Sequence, residues 1–470
     1  MAEVTTTTTP PLAENAPVNA TDYKPKLEEQ MLAYASIYTM ALICVIWGSI
    51  RSLKYVKKTI AKKRLIDASI LTSDAKKFPI NASLVLFTLY LVFKGNAIQD
   101  GVTLARTHVL PHVPETYHHY FDTVVDYFPK ANGTQFSWRD KVNSNYPSLE
   151  PYVAQVPEIT KQNFVTFLVW LMTYEGVCCL ATLLKPIISF VLRLLPIGDR
   201  WPRRNISYYL VFKSGKKEME EGDIEEAKKD NVNKYFEMEF DDHWIWAFLA
   251  VSIVGVLHIT HRHWITNNII AVSFSIMGIE MLHVASFKAG AILLFGLFFY
   301  DIFWVFGTDV MTTVAKSIDA PILLMFPQDL LAHGWQKASK HGMLGLGDIV
   351  IPGIFIALLR RFDAHIFEKD GSKLKSRYYF VATMIAYTVG LFATIAIMHH
   401  FKAAQPALLY LVPACLITPL TLALIRGEFS QLWNYSEEHI TERFDAMKKD
   451  EKEKIENANQ KKNKQVKKTN

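Results

Sequence analysis

The sequence predicts an all-α fold, a polytopic membrane protein with about nine transmembrane helices. Three observations carry that expectation. Half of the 470 residues are hydrophobic, and the mean hydropathy is +0.11. Apolar runs long enough to span a bilayer recur along the chain. The loops between them alternate between strongly basic and poorly basic stretches, which is the pattern that fixes orientation.

Taken in order, residues 1–30 are Thr/Pro-rich and polar, and read as a disordered lumenal N-terminus. No basic stretch precedes the first apolar run, so that run is expected to be a retained anchor rather than a cleaved signal. The expected spans are Met31–Ile50, Phe78–Phe93, Phe164–Leu184, Trp244–Thr260, Trp264–Ala285, Ala289–Thr308, Gly342–Leu359, Tyr378–Met398 and Pro406–Ile425. Together they make a transmembrane domain over 31–425, followed by a charged cytosolic tail over 426–470. The loop from Arg51 to Arg64, the stretch 185–243 and the loop Arg360–Arg377 are rich in Lys and Arg, which assigns them and the C-terminus to the cytosol. The N-terminus, the insert 99–163 and the connection Asp309–His341 are then lumenal. On that topology the sequons at Asn19 and Asn132 are glycosylation candidates, whereas those at Asn205 and Asn434 face the cytosol.

Composition excludes several classes. The net charge of +6 follows from the loop bias and gives no ground for nucleic-acid binding. Cys44, Cys178, Cys179 and Cys415 lie inside expected helices and read as small apolar residues. The histidines His258, His261, His263, His118 and His119 do not have zinc-site spacing, and neither a metal nor another cofactor is expected. No nucleophile elbow or phosphate-binding loop is present.

Two acids stand out. Asp301 is the lone charge in about twenty apolar residues and Asp348 the lone charge in about eighteen, where an ionisable group costs several kcal/mol. If the connection Asp309–His341 lies in water, the two helices run antiparallel. Asp301 would sit about seven residues before the end of one and Asp348 about six after the start of the other, each about 9–11 Å below the same surface. Two carboxyls that meet there cannot both ionise, and such a pair can activate water with one member and polarise a carbonyl with the other. Gly345, Leu346 and Gly347 precede Asp348 and would let a substrate backbone approach. Pro352-Gly353 should kink or fray the same helix, and Tyr300 offers a phenol beside Asp301. Glu175 and Glu280 are further acids in apolar segments, read first as packing acids; a polar network from Glu280 to Asp301 is an open alternative.

Tyr300-Asp301, Gly345-Leu346-Gly347-Asp348 and Gln405-Pro406-Ala407-Leu408 resemble, in order and spacing, the three motifs of the GxGD intramembrane aspartyl proteases. The text around Phe326-Pro327-Gln328-Asp329-Leu330 and from Pro406 to Cys415 resembles the signal peptide peptidase branch. The resemblance covers about Tyr34 to Phe429. It implies Asp301 and Asp348 as the catalytic pair, and a turn of Gln405, Pro406, Ala407 and Leu408 that shapes the site and seats the substrate. It also implies cleavage of type II membrane segments, including remnant signal peptides, in the endoplasmic reticulum membrane. Presenilins share the motifs in an inverted arrangement. The insert 99–163 departs from the family pattern, being longer than the usual link. The terminal Lys467-Lys468 pair is similar to a dilysine retrieval signal. Expected partners are membrane-embedded peptide substrates and the lipid bilayer, with a homo-oligomer and reticulum quality-control proteins left open. The alternative is a proton-coupled transporter or channel using the same paired aspartates.

Overall fold

The computed structural model describes residues 25–62, 66, 69–93, 161–196, 201–214, 233–306, 321–338, 340–370, 377–401 and 405–441. Asn19, His118, His119, Asn132, Lys467, Lys468 and nearly all of the insert 99–163 lie outside these. Among the described residues nine helices of 18 residues or more occupy the nine expected positions. They are α1 (Leu27–Ala61), α2 (Thr72–Phe93), α3 (Lys161–Arg193), α4 (Asp242–His261), α5 (Trp264–Met281), α6 (Phe287–Phe306), α8 (Gly347–Asp370), α9 (Tyr378–Phe401) and α10 (Leu408–Arg426), with α7 (Leu330–Lys337) and α11 (Phe429–Trp433) as short additions. Six of the nine, α1, α3, α4, α6, α9 and α10, are long and apolar enough to cross a membrane by length and composition.

The outward faces account for the composition. Phe295, Phe299 and Phe303 follow each other at helical spacing on α6 and are all exposed, as are Leu249, Ile253 and Val256 on α4 and Ile385, Val389 and Phe392 on α9. A bundle in water would cover such stripes. Surrounded by acyl chains they need no cover, and the polar groups turn inward.

Three two-stranded sheets supplement the helical framework. Strand β1 (Ser69–Ile70) pairs in parallel with β4 (His283–Val284), β2 (Ser207–Ser214) pairs antiparallel with β3 (Asn233–Asp241), and β5 (Leu323–Pro327) pairs antiparallel with β6 (His341–Gly345). The second of these lies within the stretch 185–243, where α3 runs on to Arg193 and an antiparallel strand pair precedes α4. Asp241 ends that hairpin and caps α4, accepting from the Trp244 amide at 3.0 Å while Lys185 Nζ lies 2.6 Å from its carboxylate. The third sheet corrects the connection Asp309–His341. Its described part does not simply lie in water, because β5 and β6 pack against α1, and β5 also against α5.

The main core gathers residues of α1, α5, α6, α8, α9 and α10. Close approach there depends on glycine. A Cβ on Gly48 of α1 would come within 2.7 Å of the Ile279 side chain on α5, and a Cβ on Gly353 of α8 within 2.5 Å of the same side chain. Ile279 is therefore a knob held between two glycines, which sets the spacing of three helices. The sequence assigned Gly353 only a share in a kink.

The expected tail at 426–470 is folded at its start. Residues 434–441 thread into the base of the bundle, where Phe287 N–H donates to the Tyr435 carbonyl at 3.1 Å and Ile66 N–H to Ile440 at 3.0 Å. Glu437 is the centre of this contact. Its Oε2 accepts from Arg361 Nε at 2.9 Å and lies 2.7 Å from His283 Nε2, while Oε1 accepts from the Tyr435 hydroxyl at 2.6 Å. Arg361 donates further to Ser52 Oγ and the Val284 carbonyl. Burial by itself would raise the Glu437 pKa, but Arg361, His283 and Tyr435 outweigh it and hold the carboxyl at about 2, below the ordinary 4.5. A depressed acid contributes its stability above the unfolded value and loses it as the pH falls. Unfolding in detergent should therefore show a loss of stability between pH 4.5 and about 2. Glu437→Gln should remove much of that pH dependence and destabilise the protein at neutral pH by about 3 kcal/mol or more, since it leaves Arg361 buried without its counter-charge.

Candidate active site

The third described strand pair decides where Asp348 stands. β6 ends at Gly345, the Leu346 amide donates to the Ile322 carbonyl at 3.1 Å, and the Leu346 carbonyl accepts from Ile349 and Val350. The helix α8 therefore starts at Gly347, and Asp348 lies in its first turn. This corrects the expected span Gly342–Leu359, in which Asp348 sat about six residues inside a helix. The residues before it are extended because β5 supplies their ladder partners. β5 in turn is anchored on α5. Asn268 both donates to the Met325 carbonyl and accepts from the Met325 amide at 2.9 Å, while Asn267 donates to the Leu323 carbonyl at 2.7 Å. A side-chain amide that exchanges two bonds with one residue imitates a neighbouring strand. The adjacent Asn267-Asn268 pair inside an apolar segment is the one sequence signal for this clamp.

Asp301 lies in the last two turns of α6 and is 5 % exposed. Its Oδ2 accepts from the Leu408 amide at 3.0 Å. Leu408 is the first residue of α10, with Ala407 as its N-cap. The amides of a helix's first turn have no partner within the helix, and the positive end of its dipole favours an acid. The turn Gln405–Leu408 thus presents a backbone donor to Asp301, and Gln405 is held in place by the Tyr410 hydroxyl at 3.2 Å. Asp348 is half-buried on α8, which packs against α6 and α10. The structure brings Asp301 against the Leu408 amide, with the helix that bears Asp348 packed beside both.

The remaining predicted residues divide. A Cβ on Gly345 would lie 3.5 Å from Asp348 Oδ2, so this glycine leaves room beside the carboxylate. Gly347 faces open space, and Leu346 packs against the main core. Tyr300 is beside Asp301 in sequence, but its ring packs towards Trp304, with centroids 6.4 Å apart, and among the described residues it hydrogen-bonds neither carboxyl. Glu280 makes no network with Asp301, since Arg51 takes it as an ion-pair partner. Glu175 is exposed on α3. His263 caps α5 by accepting from the Ile265 amide at 3.2 Å, and its other ring nitrogen lies 3.2 Å from the Trp335 carbonyl. His258 lies 3.3 Å from the Thr266 hydroxyl.

One contact could not be read from the sequence. In a helix the Asp348 carbonyl would accept from the amide of residue 352, but that residue is Pro352 and has no N–H. The Tyr387 hydroxyl from α9 donates to that carbonyl instead, at 3.1 Å. Tyr387 is fully buried. The proline that loosens α8 thus creates an orphan acceptor at the residue bearing the carboxylate, and a tyrosine from another helix satisfies it. Pro352 was the available signal for the orphan; nothing near it in sequence identified the donor.

A model of the signal peptide peptidase family matches residues 62–439. The chain belongs to that family. It is a multi-pass membrane protein and an intramembrane protease, and the transporter alternative is set aside. It is 49 % identical to intramembrane protease 2 of Caenorhabditis elegans, with 96 % of this chain and 98 % of the relative aligned. It is 36 % identical to the signal peptide peptidases of Homo sapiens and of Mus musculus, with 90 % of this chain and 88 % of each relative aligned. No solved structure matches.

Tyr387→Phe should leave the Asp348 carbonyl unpaired at a cost of about 1–3 kcal/mol. Cleavage of a membrane-embedded peptide should slow about tenfold or more, as expected when about 1.4 kcal/mol of positioning is lost, while the protein still elutes as a folded species. Measuring turnover and thermal unfolding on one preparation checks both.

Proposed function

We propose that Asp301 and Asp348 are the catalytic pair of an aspartic endopeptidase that cuts within the bilayer. What supports the reading is that α6 and α8, each bearing one lone carboxyl, pack against each other and against α10, whose first amide is bound to Asp301. Two such carboxyls share one proton, so one member takes a proton from water as the other donates to the scissile carbonyl. Hydrolysis then needs no covalent enzyme intermediate and no cofactor. The amide of Leu408 holds one Asp301 oxygen, which leaves the other oriented for proton transfer. Tyr387 holds the backbone of Asp348, which limits the swing of its side chain.

The substrate imposes the second requirement. A transmembrane helix has its amides paired internally, and its scissile carbonyl is out of reach until it unwinds. Gly345 and Gly347 precede Asp348 with no side chains in the way, and the Gln405–Leu408 turn lies against Asp301. We place peptide segments of type II orientation, including remnant signal peptides, as the substrates, and the endoplasmic reticulum membrane as the location. The support is the basic bias of the loops on one side and the name borne by the human and mouse relatives. The same bias supports nine crossings with a lumenal N-terminus, cytosolic C-terminus and Lys467-Lys468 as a retrieval signal.

Asp301→Ala and Asp348→Ala should each reduce cleavage of a purified signal-peptide substrate to background while the variant proteins unfold at nearly the wild-type temperature. A transition-state mimic of peptide hydrolysis should bind the wild type and neither variant; turnover by purified Asp301→Ala protein would defeat the assignment. For the topology, glycans should appear at Asn19 and Asn132 and at neither Asn205 nor Asn434, as read by the mobility of single Asn→Gln variants.

A further inference from the structure

At the end of α8 remote from Asp348, a cavity of about 220 Å³ lies between α1, α8 and the first residue before α9. Arg360, Arg377 and Lys57 line it, with Leu53, Ala364 and Phe367 as its apolar wall. Arg360 stands twelve residues beyond Asp348, about 18 Å along the helix, so the cavity is separate from the carboxyl pair.

Its cations are incompletely spent. Arg360 Nε is buried without a hydrogen-bond partner, and its guanidinium lies 4.7 Å over the Phe380 ring. Arg377 lines the same cavity and sets a second positive charge near Arg360. Two guanidiniums brought within reach of each other repel unless an anion lies between them. Two acids, Asp363 and Glu368, also line the cavity, and the Asp363 charge acts on Arg360, but both have other partners. Asp363 turns its two oxygens to the amides of Tyr379 and Phe380, at 3.2 and 2.8 Å, and Glu368 pairs with Lys57 at 2.8 Å on the exposed rim. A guanidinium presents a planar fork of donors that suits phosphate oxygens.

We propose that this cavity binds the phosphate of an anionic phospholipid. Phosphate is the chemistry the guanidiniums select. A lipid is the source because Leu53, Ala364 and Phe367 form an apolar wall beside them, and α1, which carries Leu53, exposes Ile43, Ile46 and Trp47. A second cavity of about 680 Å³ shares Leu53, Lys57, Ala364 and Glu368 with the first and adds Val56, Ile60 and Ile440. Its apolar residues would take the glycerol and the first acyl carbons, beside a polar side formed by His365, Lys369, Gln431 and Asn434. A bound lipid would tie α1 to the corner between α8 and α9.

The test uses full-length protein in neutral detergent, titrated separately with dioctanoyl phosphatidic acid, dioctanoyl phosphatidylcholine and inorganic phosphate, with retained ligand counted by native mass spectrometry. Phosphatidic acid should bind saturably, and Arg360→Gln/Arg377→Gln should weaken it about tenfold or more, the loss expected for a charge-assisted contact. Lys54→Gln/Lys58→Gln, which removes the same charge from exposed positions on α1, should change it less than about twofold. If the double variant does not fold, Arg377→Gln alone, at an exposed position, should still weaken binding about threefold or more. Equal losses in the two double variants would mean diffuse attraction and overturn the site. Inorganic phosphate or phosphatidylcholine binding as tightly as phosphatidic acid, or the absence of saturable binding, would overturn the anionic lipid.

Discussion

A polar group carried into an apolar bundle must find its partner inside that bundle, because the surroundings offer none. Much of this architecture follows from that constraint. The Leu408 amide at the head of α10 goes to Asp301, and the carbonyl that Pro352 leaves unpaired goes to Tyr387. Asn268 completes the backbone bonding of Met325, and Arg361 divides its donors among Glu437, Ser52 and Val284. Each pairing joins elements far apart in the chain. The polar groups thereby specify which helices are neighbours, a choice that apolar packing alone leaves loose when lipid and leucine are equally apolar.

The two helices that carry the aspartates are held at both ends. α6 is tied at its start through Phe287 to Tyr435 and near its end through Asp301 to Leu408. α8 is tied at its start through the Asp348 carbonyl to Tyr387 and towards its far end through Arg361 to Glu437. α10 and the segment that follows it take part in three of these four attachments, so this part of the chain acts as a brace for the two helices that carry the aspartates. Between the attachments, Ile279 seated against Gly48 and Gly353 fixes how closely α1, α5 and α8 approach. Geometry at the carboxyls depends on contacts at both faces of the bundle.

Much of the site was legible. Lone acids in apolar runs are costly enough to be conspicuous, and glycines next to one of them signalled close approach. The position of Asp348 within its helix was not. His341–Gly345 carries Met343 and Leu344 among glycines and is apolar enough to continue a span, but the edge of β5 competes for its amides and wins, so the helix begins later. The segment 434–441 was hidden for a related reason. A Glu between Ser and Glu next to a Lys-rich tail reads as solvated, and only Arg361, 76 residues earlier, makes it a buried anchor.

The sequence by itself determined the membrane environment, the helical framework and the two carboxyls, because hydropathy and isolated charge are local properties of the chain. The tertiary structure alone decided which amide meets Asp301, which hydroxyl meets the Asp348 backbone and which acid meets Arg361. Those pairings join residues dozens to hundreds of positions apart, and their partners are set by where the helices pack.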